Sequence, residues 1–559
     1  MTAVDSPATD SAESSAAEYR ERGWWREETF LHDLRRQARL RPRKPAIIAR
    51  RLDEARIDTL DYAGLERLAD RFAGALLDLG VRRGDVVAVQ LPNRWEMVPL
   101  IFACMAVGAV MCPIAPVCQE EELRYRLALT EARVCITVPG VDGYPLAETI
   151  CALRTELPLE HVVVLGGGSG GGAGPAPDLA GTVDFQAHFV AKHWEEQHND
   201  DLAGRALLAD EPFVVLFTSG TTGFAKGVVH SQNTVHSGVR GYVDTFLLRD
   251  DFVGAITTPL VHYSGFGQGI LAGVMLGGTI AFQDGPDSAG LLDLVERTGA
   301  TLIYGPPPTL FGVAAVQRAD PHDVSTLRST LTGAAPVLQE LVDELRATFD
   351  TVTYSVWGMS EFGPITISRP DYDQDWAAHS HGRPIGAMEI RIDNCQDSSK
   401  RAQVGRLRVR GASRALGYYK QQDDFDAELT TGGWFDTGDV ARDDGRGGIR
   451  VLGRAKDAIM RDGSVLPMAE LEAVLVRHPK IAEASVVGPT GHTDDPIVVV
   501  LVPSGDGDRP TLPEIREHLL EHGQEEKFLP QRLEIVPELP KTVTGKVRKA
   551  EIRRWLTAG

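Results

Sequence analysis

The chain has 559 residues, of which 43% are apolar, enough for more than one domain with its own buried core. Lys and Arg number 58 and Asp and Glu number 78, which gives a net charge of −20. This acidic balance argues against a general nucleic-acid-binding protein, because such proteins present a basic face. An anionic ligand must therefore be held by local positive groups.

Cysteine usage and the first residues indicate a cytoplasmic protein. The six cysteines have mostly apolar neighbours and no C-x-x-C spacing, which is typical of buried thiols in a reducing compartment rather than of disulfides or zinc ligands. Residues 1–19 lack the apolar core of a secretory signal, and their Ser, Ala, Asp and Glu content predicts a disordered tail. The cysteines are Cys104, Cys112, Cys118, Cys135, Cys151 and Cys395.

The segment Met97 to Val117 carries no charged residue and is long enough to cross a bilayer. Pro99, Pro113 and Pro116 interrupt it, and its small residues suit close packing. We therefore predict a buried helix followed by a core strand, and no membrane partner.

Helical and strand patterns alternate through about residue 390. Residues 61–79 repeat large apolar side chains at steps of three and four and end at Gly80, which predicts a helix, and Val86 to Leu91 predicts a strand. This alternation favours α/β layers with largely parallel sheets. After about residue 395, short alternating segments such as Gly405 to Arg410 and Gly448 to Leu452 predict antiparallel strands.

A domain boundary is predicted near Gly453 and Arg454, before a small α+β domain. We therefore divide the chain into a tail (1–19), an N-terminal domain (20–453) and a C-terminal domain (454–559). The elements predicted in the last of these are helices at Ala469 to His478 and Leu512 to His522 and strands at Ala484 to Gly488 and Ile497 to Val502.

The stretch 218–227 reads TSGTTGFAKG and follows the apolar strand Phe213 to Phe217. This composition suits a polyphosphate, because the glycines let backbone N–H groups approach the phosphates, the hydroxyls can donate hydrogen bonds, and the lysine supplies a mobile positive charge. The order of the residues is not that of a Walker loop. Read alone, the segment could also be an ordinary Gly/Ser/Thr turn. The phosphate-binding candidates are Thr218, Ser219, Gly220, Thr221, Thr222, Gly223 and Lys226.

Four further clusters accompany this loop. In residues 354–363, Trp357 could stack on a base and Glu361 could hold Mg²⁺. Read alone, the same sequence is also compatible with an aromatic residue of the core and a carboxylate on the surface, neither of which binds a ligand. In residues 434–439, Asp439 after a Gly turn could accept ribose hydroxyls, but such turns are common. Residues 453–457 and 540–549 are charged, and a basic tail is usually a solvated face.

Taken together and in this order, the motifs resemble those of the adenylate-forming superfamily, which contains acyl-CoA synthetases, aryl-acid and peptide-synthetase adenylation domains, and firefly luciferase. The similarity runs from about Trp24 to Trp555. It implies an α/β fold, with a large N-terminal domain of layered α/β subdomains plus a β-barrel-like subdomain and a small mobile α+β C-terminal domain. It also implies two half-reactions that use ATP and Mg²⁺.

The resemblance assigns a role to each motif. It implies that Thr218 to Gly223 and Lys226 hold phosphates, that Glu361 helps to bind magnesium, and that Lys456 is the hinge. Lys546 matches the catalytic lysine, and His262 matches the histidine beside the carboxylate pocket. The residues matched to the adenosine part of ATP are Gly333, Ala334, Ala335, Pro336, Trp357, Gly358, Met359, Ser360, Asp439 and Arg454.

The chemistry of these residue types agrees with this assignment. A carboxylate that attacks the α-phosphate of ATP brings two anions together, so catalysis depends on alignment and charge neutralisation. The ammonium group of Lys546 on its flexible stem suits contacts with both anions. The second step requires that lysine to withdraw, and a rotation about Lys456 would achieve this.

The segments Gly23 to Arg26 and Arg82 to Trp95 resemble the cyclohexanecarboxylate-type and medium-chain acid:CoA ligases, with aryl-acid ligases nearby. The substrate predicted from this resemblance is a small cyclic, aromatic or medium-chain carboxylic acid. The pocket candidates are apolar and aromatic for the most part, namely His262, Tyr263, Phe266, Gly333, Val356 and Phe362.

CoA is the acceptor expected from the resemblance, but acidic residues at Asp462 and at Glu525 and Glu526 are unfavourable for a phosphorylated cofactor. Alternatives are a carrier-protein thiol, an amine, or a diazotase reaction in which nitrite and an aryl amine replace the acid and CoA. A catalytically silent relative is a third possibility, which the presence of Lys546 and Glu361 argues against. The sequence leaves the oligomeric state open.

Overall fold

The computed structural model describes residues 16–166, 179–218, 225–373, 376–394, 403–461, 464–466, 468–488, 495–505, 507, 509–541 and 547–558. Strands and helices alternate through the first part of the chain, as the sequence pattern predicts. The helices are α1 (Phe30–Leu40), α2 (Tyr62–Asp78), α3 (Met97–Val107), α4 (Glu120–Thr130), α5 (Leu146–Leu153), α6 (Trp194–Gln197), α7 (Asn199–Leu202), α8 (Gln232–Phe246), α9 (Ala272–Leu276), α10 (Ser288–Thr298), α11 (Pro307–Ala319), α12 (Gln339–Phe349), α13 (Gln422–Asp426), α14 (Met468–Leu475), α15 (Leu512–Glu521) and α16 (Lys549–Ala558).

Shorter helical segments lie between these elements. π-helices span Gln186–Val190 and Ser264–Leu271, and 3₁₀ turns span Trp376–Ala378, Ala455–Asp457 and Glu526–Phe528. The strands are β1 (Pro45–Arg51), β2 (Arg56–Asp61), β3 (Val86–Gln90), β4 (Val110–Pro113), β5 (Val134–Thr137), β6 (His161–Val164), β7 (Thr182–Asp184), β8 (Pro212–Phe217), β9 (Gly227–Ser231), β10 (Val253–Ile256), β11 (Thr279–Gln283), β12 (Leu302–Tyr304), β13 (Ser329–Gly333), β14 (Val352–Met359), β15 (Gly363–Ile367), β16 (Arg383–Pro384), β17 (Met388–Asp393), β18 (Val404–Gly411), β19 (Gly417–Tyr418), β20 (Leu429–Thr430), β21 (Trp434–Asp443), β22 (Ile449–Arg454), β23 (Met460–Arg461), β24 (Ser464–Val465), β25 (Ile481–Val487), β26 (Val498–Pro503) and β27 (Arg532–Ile535).

The largest sheet has nine strands among the described residues, in the order β16-β15-β14-β13-β12-β10-β11-β1-β2. Its central strands β10 to β14 and β1 run parallel, as predicted. The register pairs Ile256 with Tyr304, Tyr304 with Leu331, and Gly333 with Val356. The carboxyl ends of β10, β12, β13 and β14 therefore lie side by side at one edge, where ligands of open α/β sheets bind.

A second sheet, with eight strands in the described chain, follows the order β19-β9-β8-β4-β3-β5-β6-β7. Strands β3 to β8 are parallel, whereas β9 and β19 are antiparallel to their neighbours. An apolar cluster runs from Ile47 in the first sheet through Phe72 and Phe102 in helices α2 and α3 to Val87 in the second. The two sheets therefore share one core with these helices.

Helices α2 and α3 follow the sequence-based predictions. Helix α2 begins after Asp61, whose carboxylate caps the Gly64 N–H, and it ends before Gly80, where φ is +78°. Every residue of α3 is buried, and β4 follows it as a buried strand. No helix in the described residues combines the length and the apolar character needed to span a bilayer.

The third sheet is antiparallel, with the order β17-β18-β21-β20 and with β22 paired to β21. The last part of the described chain forms a three-stranded sheet, β25-β26-β27, packed on helices α14 and α15 through Leu471, Val486 and Leu519. The predicted fold class, a large N-terminal domain of layered sheets and a small α+β C-terminal domain, is confirmed.

The described cysteines are free thiols. Cys104, Cys112, Cys118 and Cys135 are buried and Cys151 is half-buried, while Cys395 lies outside the described residues. Burial raises the pKa of Cys104 to about 12, so this side chain is an inert core thiol at neutral pH.

Candidate active site

Strands β8 and β9 bring together the two ends of the predicted phosphate loop. Phe217 pairs with Gly227, the Thr218 N–H donates to the Lys226 carbonyl at 3.0 Å, and the Lys226 N–H donates to the Thr218 hydroxyl at 3.3 Å. The predicted phosphate-binding residues Ser219, Gly220, Thr221, Thr222 and Gly223 lie outside the described residues. Thr218 and Lys226 therefore form the closed base of this loop.

Lys226, Tyr418 and Glu361 form one contact series beside this base. The Lys226 ammonium lies 4.6 Å from the centroid of the Tyr418 ring, and the Tyr418 hydroxyl donates to Glu361 Oε1 at 2.8 Å. Tyr418 is held by β19, which pairs with β9. The sequence analysis did not identify Tyr418, because its only signal is a tyrosine after Gly417 at the end of a polar loop.

Glu361 is 6% exposed, and burial raises the pKa of its carboxyl, while the Tyr418 hydroxyl, Arg454 and Lys226 lower it. A carboxylate oxygen is the ligand type that Mg²⁺ prefers, and this one lies near Lys226 of the predicted phosphate loop. The surroundings of Glu361 thus fit the predicted magnesium role better than those of an ordinary surface carboxylate.

Tyr418→Phe is expected to move the acidic limb of the activity profile to higher pH. The Tyr418 hydroxyl stabilises the Glu361 carboxylate. Removal of this hydroxyl therefore raises the pKa of Glu361 further. As the pH falls, a larger share of the variant enzyme then carries a protonated Glu361. The measurement is kcat/KM for ATP between pH 5.5 and 8.5. Tyr419→Phe is the matched control, and an equal shift in both variants would contradict the assignment.

His230 fixes the carbonyl that precedes Glu361. Its Nε2 lies 2.7 Å from the Ser360 carbonyl oxygen and its Nδ1 lies 2.9 Å from the Thr234 hydroxyl. Since a carbonyl only accepts, the Nε2 carries the proton. The ring is fully buried, which lowers the pKa of His230 to about 4. His230 therefore holds the Ser360–Glu361 segment as a neutral donor.

His230→Gln is expected to make the fold less sensitive to acid. The unfolded protein binds a proton at His230 below about pH 6.5 while the folded protein does not until about pH 4, so stability falls as pH decreases through this window. Glutamine keeps a donor for the Ser360 carbonyl but removes this proton uptake. Unfolding by urea at pH 7 and pH 4.5 should show that the variant loses about 2 kcal/mol less than the parent. An unchanged difference would contradict this role.

The adenine-flanking candidates lie at the edge where β13 and β14 end. Gly333 is buried and pairs with Val356, while Ala334 and Ala335 are exposed. Ala334 has φ of +67°, a left-handed conformation that costs a non-glycine residue about 1 kcal/mol and is often found at functional sites. The remaining candidates of this group follow on β14 and directly after it, namely Trp357, which is half-buried, Gly358, Met359 and Ser360.

The two ribose candidates are brought together by strand pairing. Asp439 on β21 pairs with Arg454 on β22, and Arg454 Nε lies 3.4 Å from Asp439 Oδ1. The Arg454 guanidinium also donates to the Thr437 carbonyl at 3.0 Å. Asp439 is 8% exposed, so its carboxylate lies at the edge of the buried part of the sheet and beside Arg454.

His262 is exposed at the start of the π-helix Ser264–Leu271, a helix type often found at functional sites. Asn93, which the sequence analysis did not select, holds the loop that precedes it. Its Nδ2 donates to the Thr258 carbonyl at 3.2 Å, and its Oδ1 accepts from the Leu260 N–H at 2.8 Å. The loop that carries His262 is thus fixed by a side chain from a distant segment.

The apolar pocket candidates lie deeper than expected. Phe266 is 1% exposed and packs at a tilt on Phe213. Phe362 is 0% exposed and packs edge-on against Phe435. In this conformation both rings belong to the apolar core, and their role in the acid pocket stays a prediction. Tyr263 and Val356 are also buried, at 7% and 6% exposure.

The predicted domain boundary is followed by a 3₁₀ turn at Ala455–Asp457 that includes the predicted hinge, Lys456. Asp457 forms an ion pair with Arg553 in the last helix, and Arg450 on β22 pairs with Glu470 on α14 at 2.8 Å. The predicted catalytic lysine, Lys546, lies outside the described residues. The structure therefore fixes the flanks of the joint by ion pairs on both sides.

Two family models match the chain. Residues 34–419 match the AMP-binding enzyme family and residues 470–546 match the AMP-binding enzyme C-terminal domain. The chain therefore belongs to the AMP-binding enzyme family, and the prediction of an adenylate-forming enzyme is confirmed.

Full-length relatives and solved structures agree with this assignment. The chain is 26% identical over 552 residues to the medium-chain fatty-acid–CoA ligase of Escherichia coli K12, covering 97% of this chain and 93% of that one. It is 28% identical over 549 residues to the 2,3-dihydroxybenzoate–AMP ligase of Bacillus subtilis 168, covering 97% and 96%. The crystal structure of an anthranilate CoA ligase with anthranoyl-AMP matches the fold with a TM-score of 0.80 at 22% identity, covering 95% and 98%.

Proposed function

We propose that this enzyme activates a small cyclic, aromatic or medium-chain carboxylic acid as an acyl-adenylate with release of pyrophosphate, and then transfers the acyl group to CoA. The observation that carries the proposal is the set of charges around Glu361. One buried carboxylate lies within the electrostatic reach of Lys226 from the phosphate loop and of Arg454 from the ribose pair. This arrangement suits a nucleotide whose phosphates and ribose are bound at the same time.

The nucleotide would lie along the edge of the nine-stranded sheet. The exposed Ala334 and Ala335 and the half-buried Trp357 offer a surface for the adenine, and Asp439 offers an acceptor for the ribose hydroxyls. Lys226 and Thr218 would hold the phosphates. When bound at Glu361, Mg²⁺ would supply charge neutralisation on the phosphate oxygens.

The first half-reaction needs alignment more than proton transfer. The carboxylate oxygen of the acid forms a bond to the α-phosphorus and the bond to pyrophosphate breaks, so both anions must be held in line. Lys546 is proposed to contact both of them. In the second half-reaction, a CoA thiol attacks the acyl carbon and AMP leaves, after the C-terminal domain has turned about the proposed hinge at Lys456.

Support for the acid and the acceptor comes from the two relatives named above, one of which is a fatty-acid–CoA ligase and the other an aryl-acid–AMP ligase. The alternatives are a carrier-protein thiol or an amine as the acceptor, or a diazotase reaction in which nitrite and an aryl amine replace CoA and the acid. In the C-terminal domain Glu525 is paired with Lys527 at 2.9 Å, which reduces its effect on a CoA phosphate.

The test is pyrophosphate release with ATP and Mg²⁺ across cyclic, aromatic, aminoaryl and medium-chain acids, each with CoA, with nitrite or with neither, and with products identified by mass. A thioester that requires CoA is the expected result. Turnover that requires nitrite, or an adenylate that accumulates and ignores CoA, would replace the proposed acceptor. No nucleotide-dependent product with any partner would overturn the ligase function itself.

A further inference from the structure

The tryptophan-rich start of the chain takes no part in the contacts proposed above. Residues 22–29 form an irregular segment before α1, which we call the N-terminal strap. Helix α8 holds this strap: the Arg26 N–H donates to Asn233 Oδ1 at 2.8 Å, and Asn233 Nδ2 donates to the Arg26 carbonyl at 3.0 Å. His236 Nδ1 lies 2.8 Å from the Trp24 carbonyl oxygen. The backbone of the strap is therefore fixed against a distant part of the chain.

Trp25 extends from the strap to a third part of the chain. Its indole Nε1–H donates to the Ala412 carbonyl at 2.9 Å. The ring is half-buried, packs edge-on against Tyr19 with 5.4 Å between the centroids, and lies 5.6 Å from Cζ of Arg20. Because an indole nitrogen only donates, Trp25 connects the strap to Ala412 by one directional hydrogen bond.

Ala412 lies at the start of the segment that holds Glu361. We call residues 411–419 the connector, because they lead from the end of β18 through β19. The Ala415 N–H donates to the Glu361 carbonyl at 2.8 Å, and the Tyr418 hydroxyl donates to Glu361 Oε1 at 2.8 Å. The connector therefore holds both the backbone and the carboxylate of Glu361.

The start of the connector depends on backbone hydrogen bonds for its position. Ala412 and Ser413 have small side chains and are 1% and 0% exposed. The Ala412 N–H donates to the Ala387 carbonyl at 2.9 Å, and the Ala412 carbonyl accepts from Trp25. A buried carbonyl that loses its donor is costly, so the segment would shift towards another donor or towards water. Loss of the Trp25 donor is thus expected to displace the start of the connector.

The other end of the connector is fixed to β9. The Leu416 N–H donates to the Val229 carbonyl at 2.8 Å, and the Tyr419 N–H donates to the Gly227 carbonyl at 2.7 Å. Ala415 lies between this anchor and the bond made by Trp25. A displaced start would therefore act on the N–H group that holds the backbone of Glu361.

We propose that Trp25 is a positioning residue for adenylation, which holds Glu361, through the Ala412 carbonyl and the connector, in the orientation that binds Mg²⁺ together with ATP. The inference rests on the proposed function, since Glu361 is the proposed magnesium ligand. It concerns the first half-reaction, which uses ATP with Mg²⁺. The second half-reaction consumes the adenylate and does not depend on this orientation.

Three variants separate the indole donor from the bulk of the ring. Trp25→Phe keeps an aromatic ring and removes the donor. Trp25→His keeps the donor, because imidazole Nε2 has the same place in a five-membered ring as indole Nε1, but it removes more apolar surface. Trp24→Phe is the matched control, since Trp24 also packs on Tyr19, at 5.9 Å, while its indole N–H donates to no acceptor in the described part of the chain. Trp25→Tyr, which also lacks the indole donor, replaces Trp25→Phe if that variant does not fold.

The main measurement is the Mg²⁺ concentration that gives half-maximal ATP–pyrophosphate exchange at saturating ATP. Trp25→Phe should raise it about 3- to 10-fold, less than the roughly 10- to 100-fold typical of a group that contacts a metal ligand directly. Trp25→His should stay closer to the parent, and Trp24→Phe should not change it. Thioester formation from a synthetic acyl-adenylate and CoA should be unchanged in all three. Combined with Tyr418→Phe, the effect of Trp25→Phe should be less than multiplicative, because both act on Glu361.

The outcomes distinguish this inference from the proposed function. An unchanged magnesium requirement in Trp25→Phe, an equal rise in Trp24→Phe, a larger rise in Trp25→His than in Trp25→Phe, or an equal loss of thioester formation would overturn the inference while exchange by the parent upholds the proposed function. ATP binding is therefore also measured by calorimetry with and without Mg²⁺. Magnesium-dependent ATP binding that weakens only in Trp25→Phe, without exchange by the parent, would support the inference while the proposed function fails. Absence of both exchange and magnesium-dependent ATP binding would overturn both.

Discussion

Lys546→Ala is expected to reduce ATP-dependent pyrophosphate release by roughly 100- to 1,000-fold, the range found when one preorganised positive or donor group is removed from a charged transition state. The two anions that meet in the first half-reaction, the acid carboxylate and the α-phosphate, would lose the mobile ammonium proposed to contact both. Lys226 remains at the base of the phosphate loop, where it contacts Tyr418, so ATP binding should weaken much less. The measurements are ATP–pyrophosphate exchange and ATP affinity by calorimetry.

The second half-reaction separates a catalytic role from a structural one. When a synthetic acyl-adenylate and CoA are supplied, Lys546→Ala should form thioester at close to the parental rate, because that step needs the lysine withdrawn. Lys541→Ala is the matched control, because Lys541 lies in the same basic segment and pairs at the surface with Glu483 of β25. Loss of both half-reactions in the first variant, or an equal loss of exchange in the second, would show that the basic segment acts on the fold.

The sequence predicted those parts of the fold whose pattern is local. The helix from Tyr62 to Asp78 has its cap, its apolar repeat and its terminal glycine within one segment. The predicted bounds, residues 61 and 79, each differ from the observed ones by one residue. The buried character of Met97–Val107 follows in the same way from its apolar composition and prolines. The Asp439–Arg454 pair was predicted from motifs as two separate ribose contacts, and strand pairing brings them together.

Features that depend on long-range contacts could not be read from the sequence. Tyr418 reaches Glu361 across 57 positions, and His230 reaches the Ser360 carbonyl across 130. The sequence immediately around Tyr418 and His230 does not distinguish either residue from an ordinary residue of the core. The apolar acid pocket was predicted from aromatic side chains such as Tyr263, Phe266 and Phe362, and the depth at which Phe266 and Phe362 lie in the core depends on packing against Phe213 and Phe435, which no local pattern encodes.

Gly363→Ala is expected to destabilise the protein by about 3 kcal/mol or more and to abolish adenylation. The reason is the contact between Gly363 and the Tyr263 ring, which supports two neighbouring parts of the site, Glu361 and the loop of His262. Gly363 has φ of +71°, and a Cβ atom there would lie 2.2 Å from Cζ of the Tyr263 ring. The ring has little room to move, because Cβ atoms at Gly238 and Gly267 would also approach it, to 2.8 and 2.9 Å. The measurement is urea unfolding together with ATP–pyrophosphate exchange.

Two comparisons separate the clash from backbone strain. Gly445 has φ of +77°, and a Cβ atom there would meet no other atom within 4 Å, so Gly445→Ala carries the strain alone and should cost only about 1 kcal/mol. In a double-mutant cycle, Tyr263→Ala is destabilising by itself, but adding Gly363→Ala to it should cost little more than the strain. If Gly363→Ala behaved like Gly445→Ala, or if its effect were fully additive with Tyr263→Ala, the packing of Tyr263 against Gly363 would not be what positions this side of the active site.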